Sequence, residues 1–96
     1  MDENNRIQEV VKEYILEVDD LDISIRARIV KILNLGTEII HPYEWQISHY
    51  CKQTETAGTT YTPSNMHADT LESCEIQLIG YLKSFRNIGV IENGYY

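Results

Sequence analysis

The sequence predicts a mainly α-helical small domain of four helices, with a short β-hairpin at its C-terminal end. Apolar residues recur three and four positions apart along most of the chain, which is typical of amphipathic helices. The final segment Gly89-Val90-Ile91-Glu92-Asn93-Gly94 places an aliphatic pair before Asn-Gly, a dipeptide that favours tight hairpin turns. Because 96 residues with 43% hydrophobic content support one modest core, we expect a single domain over residues 1–96.

The first two helices are predicted to form an antiparallel hairpin. Helix one covers Asn5 to Val18, and helix two runs to about Leu35, where Gly36 suits a helix end. Between them the short acidic side chains of Asp19-Asp20-Leu21-Asp22 favour a turn and can cap the second helix. The apolar stripes are Ile7, Val10, Val11, Tyr14, Ile15 and Val18 in helix one, and Ile25, Ile29, Ile32 and Leu33 in helix two.

A third helix is predicted after a short extended segment. Residues 37–41 are partly aliphatic, and His41 precedes Pro42, a position that disfavours helical backbone. Pro42 suits the first turn of a helix from Tyr43 to about Gln53. The polar residues 54–65 contain Gly and Pro and predict a long loop.

The fourth helix is the longest predicted element. It begins near Asp69 or Thr70 and ends near Arg86. Because Ile76 and Ile79 lie off its main apolar stripe, we expect this helix to be contacted on two sides or at an interface. The main stripe comprises Leu71, Cys74, Leu78, Tyr81, Leu82 and Phe85.

Charge and segment composition indicate the compartment and the class of partner. The formal net charge is −7, so phosphate backbones should repel the chain unless its cations are concentrated. The N-terminus lacks the basic start and apolar stretch of a signal peptide, and no apolar run is long enough to span a bilayer. We therefore expect a cytoplasmic protein, with Cys51 and Cys74 as buried thiols.

No residue pattern predicts catalysis, a cofactor or a metal site. His49 and Cys51 lie two apart, which places them on nearly opposite sides of a helix. His67 and Cys74 share a face only if helix four begins earlier than predicted. No glycine-rich phosphate loop or third orienting group accompanies a Cys-His pair. We expect no enzymatic activity.

An acidic stripe is the first candidate binding feature. Glu9, Glu13, Glu17 and Asp20 recur at helical spacing, where like charges destabilise an isolated helix. Such a stripe is consistent with a basic partner. The alternative is that cations of the second helix lie alongside and neutralise it, as charge runs are usually solvated faces. Those cations are Arg26, Arg28 and Lys31.

Aromatic residues form the second candidate feature. They concentrate around helix three, the long loop and the C-terminus, and Tyr and Trp are enriched in protein interfaces. Trp45 lies off its helix's apolar stripe, so it either closes the core under the loop or anchors a partner. We include Trp45 and Tyr61 with the acidic stripe as candidate partner-binding residues.

Part of the chain resembles the winged-helix family. The start Tyr61-Thr62-Pro63-Ser64 and the end Leu82-Lys83-Ser84-Phe85-Arg86-Asn87-Ile88-Gly89-Val90-Ile91 are similar to a recognition segment and its exit. The resemblance covers about a third of the chain and implies a helical domain whose wing strands follow the recognition helix. Two departures are a longer interval and the acids Asp69, Glu72 and Glu75, which would meet DNA phosphates.

Two function hypotheses follow. The first is a non-catalytic, acidic binding module that acts by protein-protein interaction on a basic partner surface, as an inhibitor, an immunity-type protein or an adaptor. Small acidic proteins of this type are common among mobile-element and phage-encoded chains. The alternative is a winged-helix nucleic-acid-binding regulator, which a basic patch of Lys52, Lys83 and Arg86 would favour. A homodimer is compatible with both.

Overall fold

An antiparallel β-sheet is the main unit of the fold. The structure is a computed structural model that describes residues 7–33, 41–52, 54–58, 62–63, 65–94 and 96. The strands, in chain order, are β1 (Gln8–Glu17), β2 (Ser24–Ile32), β3 (Tyr43–Ile47), β4 (His49–Tyr50), β5 (His67–Ala68) and β6 (Ile91–Glu92). The helix α1 (Leu71–Ser84) lies between β5 and β6 in the chain. The larger sheet has the order β1-β2-β3-β5, and β4 pairs with β6 in a second, two-stranded sheet.

The prediction of a four-helix domain, or helical bundle, is therefore wrong. The first two predicted helices are β1 and β2, and the third is replaced by β3 and β4. Residues four apart share one face of a helix, and because four is even they also share one face of a strand. The apolar pairs four residues apart were thus compatible with both a helix and a strand. The many Ile and Val residues in these segments favour strands, since β-branched side chains pack well on a pleated sheet.

The hairpin of β1 and β2 has a register that places alternate residues on opposite faces. Tyr14 pairs with Ala27 and Leu16 with Ile25, on the face that packs against α1. Glu13, Ile15 and Glu17 alternate with them and so point to the opposite face. The register shifts between Val10 and Lys12, which is the signature of a β-bulge.

The main core lies between the larger sheet and α1. Residues at period two on the strands meet residues at helical spacing on α1, as expected for one helix on one face of a sheet. The second sheet is joined to this core through Cys51. The buried cluster comprises Ile25, Ala27, Ile29, Trp45, Ile47, Cys51, Ala68, Cys74, Leu78, Tyr81 and Phe85.

The fourth predicted helix is confirmed as α1. Thr70 caps its N-terminus, where the Thr70 Oγ1 accepts a hydrogen bond of 3.1 Å from the backbone N–H of Ser73. Cys74, Leu78 and Tyr81 of the predicted stripe are buried, and Leu71 and Leu82 pack against the cluster. The local signals agree here, because Thr70 supplies a capping side chain and the stripe contains no β-branched residue, whereas Ile and Val dominate the stripes of β1 and β2.

The C-terminal strand forms, but its partner is distant. In β6, Ile91 pairs with Tyr50 and Glu92 with His49 of β4, so β6 does not form the predicted local hairpin within the described residues. Asn93 secures this arrangement through hydrogen bonds from its backbone N–H to the Ser48 carbonyl (2.7 Å) and from its amide to the Ile47 carbonyl (2.8 Å). The predicted extended segment at 37–41 falls outside the described residues, except for His41.

Candidate functional site

The β1–β2 hairpin exposes aliphatic side chains that the core leaves uncovered. Among the described residues, seven large hydrophobic side chains are exposed, and five of them belong to this hairpin or its ends. Ile15 is 64% exposed although it lies in the middle of β1. These five residues lie at both ends of the hairpin and along β1, so the polar surroundings of each decide whether it belongs to an interaction site. The five are Ile7, Val10, Ile15, Ile23 and Leu33.

Acidic side chains flank the most exposed of these aliphatic residues. Glu13 and Glu17 lie two positions on either side of Ile15, on the same face of β1, and all three are exposed. We call Glu13, Ile15 and Glu17 the hairpin triad. It lies on the sheet face opposite α1, and β1 is an edge strand of the sheet formed by the described residues.

The predicted acidic stripe is brought together only in part. Glu13 and Glu17 share a face, but Glu9 lies beyond the bulge, where its pairing with Lys31 assigns it to the α1 side. Asp20 lies in the turn after β1, with a positive φ of 64°, and its carbonyl accepts a hydrogen bond of 2.8 Å from the Asn87 amide. The helical stripe predicted from the sequence is thus divided among two sheet faces and a turn.

The turn between β1 and β2 extends the acidic surface beyond the triad. Residues 17–24 line a shallow depression of about 350 Å³ at the end of the hairpin. Glu17 and Asp20 contribute to it together with Asp19 and Asp22, and all four carboxylates are on exposed residues. The acidic region therefore runs continuously from the triad to the hairpin tip.

Two cations of β2 lie beside the triad on the same face, as the neutralising alternative expected, but neither forms an ion pair with it among the described residues. Arg28 is the cross-strand neighbour of Glu13, and Arg26 is that of Ile15. The Arg28 guanidinium, however, donates a hydrogen bond of 2.6 Å from Nε to Gln46 Oε1 and lies 4.3 Å from the centre of the Tyr96 ring. Among the described residues, the ion pairs are Lys12 with Glu75, His41 with Asp69 and His67 with Glu44.

A row of polar contacts explains why Arg28 is held away from β1. Gln46 accepts from Arg28 and donates from Nε2 to Glu44 Oε2 at 2.7 Å. The other oxygen of Glu44 contacts His67 Nε2 at 2.8 Å. The row crosses β2, β3 and β5 on the face that also bears the triad. It holds the Arg28 guanidinium on Gln46, and Arg28 forms no ion pair with its cross-strand neighbour Glu13.

A contact from α1 fixes the position of β1. Glu75 Oε2 accepts hydrogen bonds from Lys12 Nζ at 2.6 Å and from Tyr14 Oη at 3.0 Å. The bonds from Lys12 and Tyr14 lower the pKa of the Glu75 carboxyl. Burial, with a further contribution from Glu75, raises the pKa of Tyr14 to about 12. These contacts hold one side of β1 on the helix and orient the triad outward.

Trp45 belongs to the core of the structure. It is 2% exposed, its Nε1 donates a hydrogen bond of 3.1 Å to Gln77 Oε1, and its ring centre lies 5.6 Å from that of Tyr81. It borders a cleft of about 520 Å³ that is also lined by Pro63, Asn65 and Gly80. This placement matches the core alternative for Trp45. Tyr61, the other aromatic candidate, lies outside the described residues.

The nucleophilic and metal-binding residue types are dispersed. Cys51 and Cys74 are buried free thiols, and burial raises the pKa of Cys74 to about 11, which disfavours the reactive thiolate. His49 contacts the Ser48 hydroxyl at 2.7 Å, whereas His67 contacts Glu44. Across the described part of the chain, no three His, Cys, Asp or Glu side chains form a metal-binding group.

The exposed aliphatic residues of the hairpin were missed in the sequence analysis. Ile7, Val10 and Ile15 were assigned to the buried stripe of a helix, yet the structure exposes all three. The alternation Glu13-Tyr14-Ile15-Leu16-Glu17 was the available signal, because Tyr14 and Leu16 face the core while the other three face outward.

Comparisons with protein-family models, curated proteins and solved structures find no match for this chain. The winged-helix resemblance therefore stays a prediction. Within the described residues, no helix is long and apolar enough to cross a membrane.

Proposed function

We propose that this chain is a non-catalytic binding module that acts on a protein partner with a basic surface, as an inhibitor, immunity-type protein or adaptor in the cytoplasm. The hairpin triad and the adjoining acidic turn form its contact surface. The observation that carries this proposal is the exposed Ile15 between Glu13 and Glu17, two carboxylates that form no ion pair among the described residues.

The chemistry of the triad supports a protein partner. An interface core needs apolar area to remove from water, and the 64% exposed Ile15 supplies it at the centre of the triad. The carboxylates around it attract lysine and arginine side chains, which speeds encounter and rejects acidic competitors. The net charge of −7 adds a long-range attraction for a positively charged partner. The same carboxylates would repel the phosphates of DNA.

A charge-reversal experiment tests this surface. The tagged protein carrying Glu13→Lys and Glu17→Lys is compared with the wild type in capture from native cell lysate at low and high salt, with mass spectrometry. We expect a protein that the wild type captures at low salt to be lost from the variant. The control is Glu55→Lys with Glu92→Lys, which changes the net charge equally at two exposed positions outside the triad. Equal capture by all three proteins would contradict the proposal.

A nucleic-acid-binding regulator is the second candidate, and one observation favours it. The backbone N–H of Lys52 donates a 2.8 Å hydrogen bond to the Ile88 carbonyl, and that of Arg86 contacts Cys51 Sγ at 3.4 Å. Two of the three cations named for this function therefore lie on adjoining segments. Recovery of nuclease-sensitive nucleic acid with the wild type, and its loss in Lys52→Glu with Arg86→Glu, would support this candidate over the first.

A further inference from the structure

The exposed side of α1 carries a second surface, at whose edge Glu75 also contacts Lys12 and Tyr14 of β1. Six residues recur there at helical spacing and line a depression of about 460 Å³. Ile76 is 68% exposed, whereas Cys74, Leu78 and Tyr81 on the opposite side of the helix are buried. We call this set the α1 stripe; it comprises Glu72, Glu75, Ile76, Ile79, Gly80 and Lys83.

The order of residues along the α1 stripe makes it complementary to itself. An acid, Glu72, lies at the N-terminal end, aliphatic residues occupy the centre, and a base, Lys83, lies at the C-terminal end. When two copies of such a helix pack antiparallel about a two-fold axis, each end meets the opposite end. Glu72 then faces Lys83 of the second copy, and Ile76 faces Ile79 of the second copy. The Glu72–Lys83 ion pair therefore occurs twice, once on each side of the axis.

Gly80 gives the stripe a notch that a facing side chain can enter. A Cβ at this position would meet nothing within 4 Å, so no neighbour within the fold requires glycine there. Glycine inside a helix is also less stable than alanine. A close approach by another helix gives this glycine a role, because interhelical distance depends on the side chains at the contact.

The charged ends of the stripe are open to a partner. Neither Glu72 nor Lys83 takes part in an ion pair among the described residues. Within the helix, the positions three and four residues from each of them hold no opposite charge. An antiparallel second copy supplies the opposite charge to both.

We propose that α1 pairs antiparallel with α1 of a second copy of this chain through the α1 stripe, forming a two-fold symmetric dimer. One helix face per copy is a small contact, so we expect the dimer to exchange with monomer. This surface is distinct from the hairpin triad, and dimerisation leaves the triad free.

Charge reversal within one chain gives a test specific to self-pairing. Sedimentation velocity over a concentration series measures the dimer dissociation constant for the wild type, Glu72→Lys, Lys83→Glu and the double variant. Each single reversal converts two attractive pairs into two repulsive pairs, so we expect about a tenfold rise in the dissociation constant. The double variant restores both pairs and should return to within about twofold of the wild type.

Two further variants separate this proposal from the proposed function. Ile76→Arg introduces a charge at the centre of the stripe and should give monomer at every concentration, while its capture of a partner remains unchanged. Ile15→Arg makes the same change in the triad and should dimerise like the wild type. Circular dichroism checks that both variants fold, which their exposure favours. A wild-type protein that stays monomeric at all concentrations, or a double reversal that fails to restore dimerisation, would overturn the dimer.

Discussion

Replacing Trp45 by phenylalanine should destabilise the fold by an amount set by two lost contacts. The indole N–H donates to Gln77 Oε1, and losing one such hydrogen bond costs about 0.5–1.5 kcal/mol. The smaller ring leaves a void beside Tyr81 that costs about 1 kcal/mol more. The total is about 2 kcal/mol, which corresponds to a fall of about 8–16 °C in melting temperature for a domain of this size.

Trp45→Ala extends the same reasoning to complete removal of the side chain. Truncating a buried Trp costs about 3–5 kcal/mol, a large share of the roughly 5–14 kcal/mol expected for the whole domain. We therefore expect Trp45→Ala to unfold at a much lower urea concentration than the wild type and Trp45→Phe.

Urea unfolding followed by far-ultraviolet circular dichroism measures both Trp45 variants against the wild type. Ile23→Ala is the control, because Ile23 is exposed outside the strands and its change should stay within about 0.5 kcal/mol. Trp45 is the single tryptophan in the chain, so wild-type fluorescence independently reports its burial. If both Trp45 variants unfold within about 0.5 kcal/mol of the wild type, the assignment of Trp45 to the core is refuted.

Three further predictions concern individual contacts. The Glu75 pKa is lowered chiefly by the hydrogen bond from Lys12, so its stabilising contribution is present above the ordinary value of 4.5 and lost as pH falls through the lowered folded value. Thermal melts should thus show the wild type losing its advantage over Glu75→Gln between about pH 5 and pH 3. Gly89→Ala should destabilise the fold by about 1–2 kcal/mol in urea, because φ is +57° and the new Cβ meets the Lys52 side chain. The Cys74 thiol, with its pKa raised by burial to about 11, should react with a thiol reagent near neutral pH only after unfolding.

Each of these predictions has a matched control. Lys12→Met should reproduce the pH dependence of Glu75→Gln, and identical acid profiles for both variants and the wild type would contradict the role of this contact. Gly58→Ala tests the Gly89 result, because a Cβ at Gly58 meets nothing within 4 Å and its φ is not in the left-handed region. Equal stability of the two alanine variants would remove the strain argument. Rapid labelling of the folded wild type, absent from Cys74→Ala, would contradict the burial of Cys74.

The helix α1 could be predicted from sequence because several local signals agree. Cys74, Leu78 and Tyr81 lie at helical spacing, none of them is β-branched, and Thr70 supplies a capping side chain. The sequences of β1 and β2 did not distinguish a helix from a strand in this way. Ile25 and Ile29 share a face in either structure, and the deciding residue was Ala27, which is buried between them at period two.

The sequence predicted the chemistry of the candidate surface but not its geometry. The sequence identified Glu13 and Glu17 and their acidic neighbourhood, but the helical assignment placed Ile15 in the core. The outward position of Ile15 depends on strand periodicity and on the packing of α1 against the other face. The hydrogen bond from Arg28 to Gln46 depends on the pairing of β2 with β3, two segments that are not adjacent in the sequence. Local sequence carries little information about such pairing.

The central claim is that the hairpin triad binds a protein partner, and comparative cross-linking at Ile15 tests it most directly. A photoreactive residue at position 15 should cross-link in cells to one protein with a basic surface, and the product should disappear when Glu13→Lys and Glu17→Lys are added. The same photoreactive residue at position 91, which is also exposed but lies in β6, should not give that product. Cross-linking of the same protein from both positions, or its persistence after charge reversal, would contradict the account.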